Sequence, residues 1–259
     1  MSLYHVMMRG ARRLLLYRDD ADRAAFLNLL AETLQNKPLK LHAFALMDNH
    51  YHLMVGADEQ GLSRSMQSLN RRFSRGNNKK YGLQGHLFEG SYLAFPLTGK
   101  FWIGRTARYL DFNPVQAGLA ATPEQYPWSS ARTYLKGFPS PVPLDTQPVL
   151  DALGGVNGYR AFVPPIRRKK TSRAITAMDL WTEQAGWLLQ WATERQAELE
   201  GEAPRTLAVS WARDAGIPPR AIAKAFGYAG GHSVSVLLDS LRKRAEKSPR
   251  LRELMEPPK

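Results

Sequence analysis

The sequence predicts an α+β fold: a small antiparallel sheet with helices on one face, followed by an all-helical C-terminal module. Three observations predict it. Strand and helix patterns follow one another as β-α-β-β-α-β-α up to Pro114, only helical patterns occur in the second half, and proline-bearing breaks part the two. The breaks are FPSPVPLDTQP over Phe138–Pro148 and the strongly basic PPIRRKKTSR over Pro164–Arg173. The second sets the expected organisation: a domain over 1–163, a basic linker over 164–177 and a helical module over 178–259.

Leu3–Arg9 reads as a strand. Asp19 or Asp20 then caps a helix whose apolar positions Phe26, Leu27, Leu30 and Leu34 share a face. Leu39–Met47 and Tyr51–Val55 read as strands joined by the turn Asp48-Asn49. The next helix carries Leu62, Met66, Leu69 and Phe73 on one stripe. Arg64, Arg71, Arg72 and Arg75 occupy its other faces and the basic run continues into Lys79 and Lys80. This cluster suits a phosphate backbone, with Phe73 and Tyr81 as stacking surfaces; equally, the arginines form a solvated face and Phe73 completes the stripe. Ser91–Leu97 is the expected fourth strand, and Phe101–Asn113 a helix stopped near Pro114. In the second half, helices are expected over Asp179–Glu200, Arg205–Ala215, Pro219–Phe226 and Ser233–Lys247, with Gly227 and Gly230-Gly231 as punctuation.

Composition narrows the function. Against 23 Asp and Glu stand 36 Lys and Arg, giving +13 over 259 residues, which suits a polyanionic partner, nucleic acid above a membrane surface. There is no Cys, so thiolate metal sites, disulfides and thiol nucleophiles are excluded. No apolar window approaches the roughly 20 residues of a membrane helix, and the expected compartment is the cytoplasm.

Two motifs carry chemistry. In MDNHYHLMV, Met47–Val55, the period of a strand sends His50 and His52 from the same face with Cα atoms roughly 6 to 7 Å apart, so that both imidazoles can meet one divalent cation. The bland alternative is a pair of half-exposed histidines on an edge strand. In TARYLDFNPV, Tyr109 and Asn113 stand one helical turn apart on a common face. They can aim a phenol and a carboxamide at one phosphate; otherwise they are a core tyrosine and a helix-end asparagine.

Taken in order, YHVMMRGARRLLLYRDDADRAAFLNLL, HAFALMDNHYHLMV, GHLFEGSY, ARYLDFNPVQAGL and YPWSSARTYLKG resemble the HUH-type tyrosine transposases of the IS200-like superfamily, and within it the REP-associated tyrosine transposases. The resemblance runs from Met1 to about Val163. It implies a ferredoxin-like sheet, His50 and His52 as metal-binding histidines, Tyr109 as nucleophile and Asn113 as a third ligand to Mg²⁺ or Mn²⁺. The activity implied is cleavage and rejoining of single-stranded, hairpin-forming repeat DNA through a 5′-phosphotyrosine, in a nucleoid-associated protein of the cytoplasm. For a base toward Tyr109 the motifs offer His5, His86 and Arg108. Relatives commonly carry arginine where this chain has Ser91 and Gln116, which favours the alternative of a catalytically silent, domesticated DNA-binding regulator. A monomer is favoured over a dimer, because the C-terminal module supplies DNA affinity of its own.

That module reads as a helix-turn-helix: IPPRAIAKAFGY, a glycine-rich turn, then HSVSVLLDSLRKR with Ser233 as N-cap. It is loosely similar to the DNA-binding domain of the replication initiator DnaA. The similarity implies that His232, Ser233 and Ser235 read bases or phosphates, with Arg242 further along.

Overall fold

A computed structural model describes residues 1–161, 203–214 and 217–255, with a few positions between 182 and 193. The chain divides into two compact units, Met1–Ser172 and Arg173–Lys259. The expected linker 164–177 and most of the helix expected over Asp179–Glu200 lie outside the described residues.

Unit one is built on four strands, β1 (Ser2–Arg9), β2 (Lys40–Leu46), β3 (His50–Ala57) and β4 (Leu93–Pro96). They lie in the order β2-β3-β1-β4 with every neighbouring pair antiparallel, the order of a ferredoxin-like sheet. The strand bearing His50 and His52 is thus an inner one, not an edge. Met7 faces His52 and Arg9 faces His50 in the register between β1 and β3.

Both faces of this sheet are covered, which corrects the expectation of helices on one face. Alternate residues Val6, Met8, Tyr51, Leu53 and Val55 bury themselves against α1 (Asp20–Asn36) and α2 (Glu59–Tyr81). The other set, His5, Met7, Ala43, Ala45, His52 and Met54, is equally buried and lies against α3 (Gly99–Gln116). The physical reason is in β3, where all eight residues are sheltered: neither face of this inner strand is left to water, so the sheet is covered twice. Each large apolar side chain so buried contributes about 1.5–3 kcal/mol.

Local chemistry explains the element ends. Asp19 caps α1, its Oδ1 accepting from Asp22 N at 2.8 Å, and Asp58 caps α2 in the same way through Gly61 N at 2.6 Å. The α2 helix ends at Gly82, in the left-handed region at φ 61°. Its Asn70 accepts from Tyr51 Oη at 2.6 Å, tying helix to strand inside the core. Phe73 is buried against Phe26 and Tyr17, so it completes the apolar stripe and offers no stacking surface. The Tyr81 ring is covered by the Arg18 guanidinium at 4.1 Å.

The third helix also departs from expectation, because it passes through Pro114 to Gln116. Proline removes one intrahelical bond, but the chain has only half a turn left to run. Ala117 N still reaches Asn113 O at 3.0 Å, and Leu119 N reaches Pro114 O at 2.8 Å. Short helices α4 (Ala131–Lys136), α5 (Gln147–Leu153) and α6 (Gly155–Ala161) complete the unit. Gly104 lets α3 approach α5 closely: a Cβ there would meet Leu153 Cδ2 at 2.6 Å.

In unit two the described elements are α7 (Pro204–Asp214), α8 (Pro219–Phe226), α9 (Gly231–Lys247) and α10 (Pro249–Leu254). Gly227, at φ 68°, ends α8, and α9 begins two residues earlier than expected, with Gly230 rather than Ser233 as N-cap. The early start follows from packing. Gly231 abuts Pro219, where a Cβ would lie 3.1 Å from that ring, so the first turn of α9 lies close against the start of α8. Among the described residues no helix is long and apolar enough to cross a membrane.

Candidate active site

The turn between β2 and β3 fixes His50. Asp48 O accepts from Leu16 N at 2.8 Å, Asp48 Oδ1 accepts from Arg23 Nη2 at 2.6 Å, and Asn49 O accepts from Gly10 N at 2.8 Å. Asp48 is the acid next to the histidines in sequence, and this pairing commits its carboxylate to Arg23. Asn49 adds its side chain, whose Oδ1 accepts from His50 Nδ1 at 2.8 Å. That bond leaves the lone pair of His50 on Nε2, which is buried and in no hydrogen bond of good geometry.

His52 lies beside it, ring centroids 4.9 Å apart and nearly perpendicular. Its Nδ1 meets His5 Nε2 at 3.0 Å, and its Nε2 lies 3.2 Å from Asn113 Nδ2. From α3, the Tyr109 ring sits edge-on over the same imidazole, 5.3 Å between centroids, and 5.9 Å from His5. The four side chains singled out by strand and helix spacing, His50, His52, Tyr109 and Asn113, therefore form one cluster. It is closed: His52 is 0% exposed, Asn113 2%, Tyr109 5% and His50 9%.

Burial sets the protonation of this cluster. Desolvation, with the nearby Arg9 charge, brings His50 down to about 4 although Asn113 opposes it, and desolvation together with its two histidine neighbours holds His52 well below the ordinary range. Burial alone lowers His5 to about 3. All three imidazoles are neutral near neutral pH, the state in which a ring nitrogen carries a lone pair for a metal.

A divalent cation fits these donors. Each of the two histidines has its Nδ1 engaged by a neighbour, Asn49 or His5, which leaves Nε2 to face the cluster, and the Asn113 carboxamide beside His52 could offer a third, harder oxygen donor. Among the described residues no three His, Cys, Asp or Glu side chains are arranged so that they could hold a metal ion by themselves. Two imidazoles and an amide leave room for water and phosphate, which suits an exchangeable hard ion.

Two further residues join the site. Arg9 faces His50 across the sheet and makes an ion pair with Glu89, Nη2 to Oε2 at 2.6 Å. His5, read only as one of three candidate bases, is in direct contact with His52. The signal for both was the parity of β1, which puts His5, Met7 and Arg9 on one face. Of the other candidate bases, His86 is exposed and lines a different cleft, and Arg108 lies over the Phe112 ring at 5.3 Å.

The basic cluster on α2 separates into two groups. Arg72 pairs with Glu32, and Lys80 is held by Asp19 and Asp22 at 3.1 and 2.7 Å. Arg71 and Arg75 instead line an open cleft of about 470 Å³ with Asn78, His86, Phe88 and Tyr92. Exposed Arg64 and Lys79 lie on the same helix. The cleft opens on the α2 side of the sheet, the face opposite His52. In unit two, His232, Ser235 and Arg242 are exposed on α9 and Ser233 is half-buried in its first turn. Ser235 Oγ donates back to Gly231 O at 3.2 Å.

Residues 2–112 match the family described as Transposase IS200 like. Among solved structures, the chain is similar to a REP-associated tyrosine transposase bound to a REP hairpin, with a TM-score of 0.44 and 15% identity. That likeness covers 56% of this chain and 87% of the other. No curated protein matches the chain.

Proposed function

Because residues 2–112 match the family described as Transposase IS200 like, we propose that this chain cleaves and rejoins single-stranded, hairpin-forming repeat DNA through a 5′-phosphotyrosine on Tyr109. The observation that carries this reading is the convergence of His50, His52, Asn113 and Tyr109 in one cluster, drawn from β3 and α3. A module that only binds DNA has no use for two neutral imidazoles, a carboxamide and a phenol at one point.

In this reading the Tyr109 oxygen attacks the scissile phosphorus, the phenol proton leaves, and the bond to O3′ breaks. One DNA end departs with a free 3′-hydroxyl while the other stays joined to Tyr109 through its 5′-phosphate. The phosphoester energy is retained, so a 3′-hydroxyl can attack the phosphotyrosine, restore the strand and release the phenol without ATP. His50 Nε2, His52 Nε2 and Asn113 Oδ1 would hold Mg²⁺ or Mn²⁺, which when bound polarises the phosphate and offsets charge on its non-bridging oxygens. Arg9 adds a fixed positive charge beside His50.

The DNA path in this reading includes Arg64, Arg71, Arg75 and Lys79 on α2, with Arg72 and Lys80 contributing once their carboxylate partners are displaced. The α8–turn–α9 segment acts as a helix-turn-helix through His232, Ser233, Ser235 and Arg242. Joint Arg71→Ala and Arg75→Ala substitution is expected to weaken hairpin binding and to lower the slope of log affinity against log salt by roughly 1.4 to 1.8. An unchanged slope would return both arginines to a solvated face.

Strand transfer tests the proposed reaction itself. With a labelled acceptor bearing a free 3′-hydroxyl, the protein, Mg²⁺ and an intact hairpin DNA that it cleaves should yield a longer ligated strand in the absence of ATP. Production of free 5′-phosphate ends alone would make the protein a hydrolase and contradict the proposal.

A further inference from the structure

We infer that His5 is a positioning residue for the cation site, accepting the Nδ1 proton of His52 and so holding that imidazole in the tautomer that presents its Nε2 lone pair to the cation. The inference rests on the reading of His50 and His52 as ligands.

The geometry is direct. His5 Nε2 lies 3.0 Å from His52 Nδ1, with the rings 5.1 Å apart between centroids. Both side chains are inaccessible to water, at 1% and 0% exposure, so neither has a solvent alternative. A neutral imidazole carries one proton. If His52 carries it on Nε2, that N–H faces Asn113, whose amide can turn either edge toward it, and the nitrogen cannot bind metal. Metal on Nε2 therefore requires the proton on Nδ1, and there the one acceptor within reach is His5 Nε2. His5 must then be neutral with its own proton on Nδ1.

His50 has the same arrangement with a different partner, its Nδ1 donating to Asn49 Oδ1. The two imidazoles are thus each held from behind, one from its own turn and one from the neighbouring strand. A packing role accounts poorly for His5. Its Nδ1 is buried with no hydrogen-bond partner, a standing cost that Leu or Phe at this position would avoid. Around His5 stand the apolar Met7, Met54 and Phe95, and His52 is the polar group that its ring meets.

The test is Mn²⁺ affinity of the full chain, read from the electron paramagnetic resonance of free Mn²⁺, for wild type, His5→Leu and His5→Gln. Gln places a carbonyl oxygen where Nε2 lies and keeps the acceptor. Expected is a tenfold to hundredfold loss, about the cost of removing an outer partner, in His5→Leu and recovery of most of it in His5→Gln. Equal affinity in all three, or equal loss in both variants, would overturn the inference. A His50→Ala, His52→Ala chain that still binds Mn²⁺ like wild type would instead remove the ligand reading on which it rests. Should His5→Leu fail to fold, the ring nitrogen shifts of His52 in the Mg²⁺-saturated wild type decide: a protonated Nδ1 is required, and an unprotonated one is fatal to the inference.

Discussion

Tyr109→Phe removes covalent capture of DNA and leaves hairpin binding unchanged. The expected loss of strand cleavage is at least three powers of ten, because the substitution deletes the attacking oxygen and the chemistry has no second route. Tyr109 is suited to such a clean separation. Its ring packs edge-on against His52 and His5, and phenylalanine retains that ring, its volume and the helix around it. The chain should melt within a few degrees of wild type. Hairpin affinity in the proposed reading comes from α2 and from the helix-turn-helix, on surfaces that Tyr109 does not touch. The measurements are a denaturing gel for a protein-linked 5′ product and a filter-binding curve on the same hairpin. A variant that still captured DNA would move the nucleophile elsewhere.

Joint removal of His50 and His52 has an effect of similar size on a different observable. With both imidazoles replaced by alanine, the cluster keeps Asn113 as its only remaining donor of the three, and a single carboxamide does not hold a divalent ion against water. Cutting should fall to background at any Mg²⁺ or Mn²⁺ concentration. Isothermal calorimetry should likewise show Mn²⁺ binding to wild type and none to the double variant. The two neutral imidazoles are buried beneath α3, so their loss opens a cavity, and hairpin binding in the double variant serves as the control for folding. Metal-dependent cutting that persisted would end the assignment of these residues as ligands.

How far the sequence reveals this site can be followed residue by residue. His50 and His52 are legible because a strand has period two, and Tyr109 and Asn113 because a helix has 3.6 residues per turn; both rules act within ten residues. What joins them acts over longer range. The pairing Arg9↔His50 spans 41 positions and depends on strand order, which local periodicity does not determine. For that reason Arg9 escaped notice and His5 stood among three candidate bases. Strand order also decides that β3 is inner, and hence that its histidines are sheltered and neutral instead of half-exposed. The single-faced arrangement of helices failed on the same ground, since the cover on the second face becomes necessary only when β1, β2 and β3 lie side by side. Pro114 marks a smaller misreading: a proline this close to a helix end costs one bond and need not stop the turn. The α2 stripe shows a limit of another kind. Spacing revealed that Arg71, Arg72 and Arg75 are off the core, but only the fold shows that Arg72 meets Glu32 while Arg71 and Arg75 open onto the cleft.

The most direct measurement incubates the purified full chain with a library of 5′- and 3′-labelled hairpin-forming single strands and Mg²⁺ or Mn²⁺, then maps any covalent adduct by mass spectrometry. The proposed function predicts an adduct linking a 5′-phosphate to Tyr109, accompanied by a free 3′-hydroxyl strand. Hairpin binding with no adduct, across metals and sequences, would contradict it and make the chain a DNA-binding protein without strand-transfer activity.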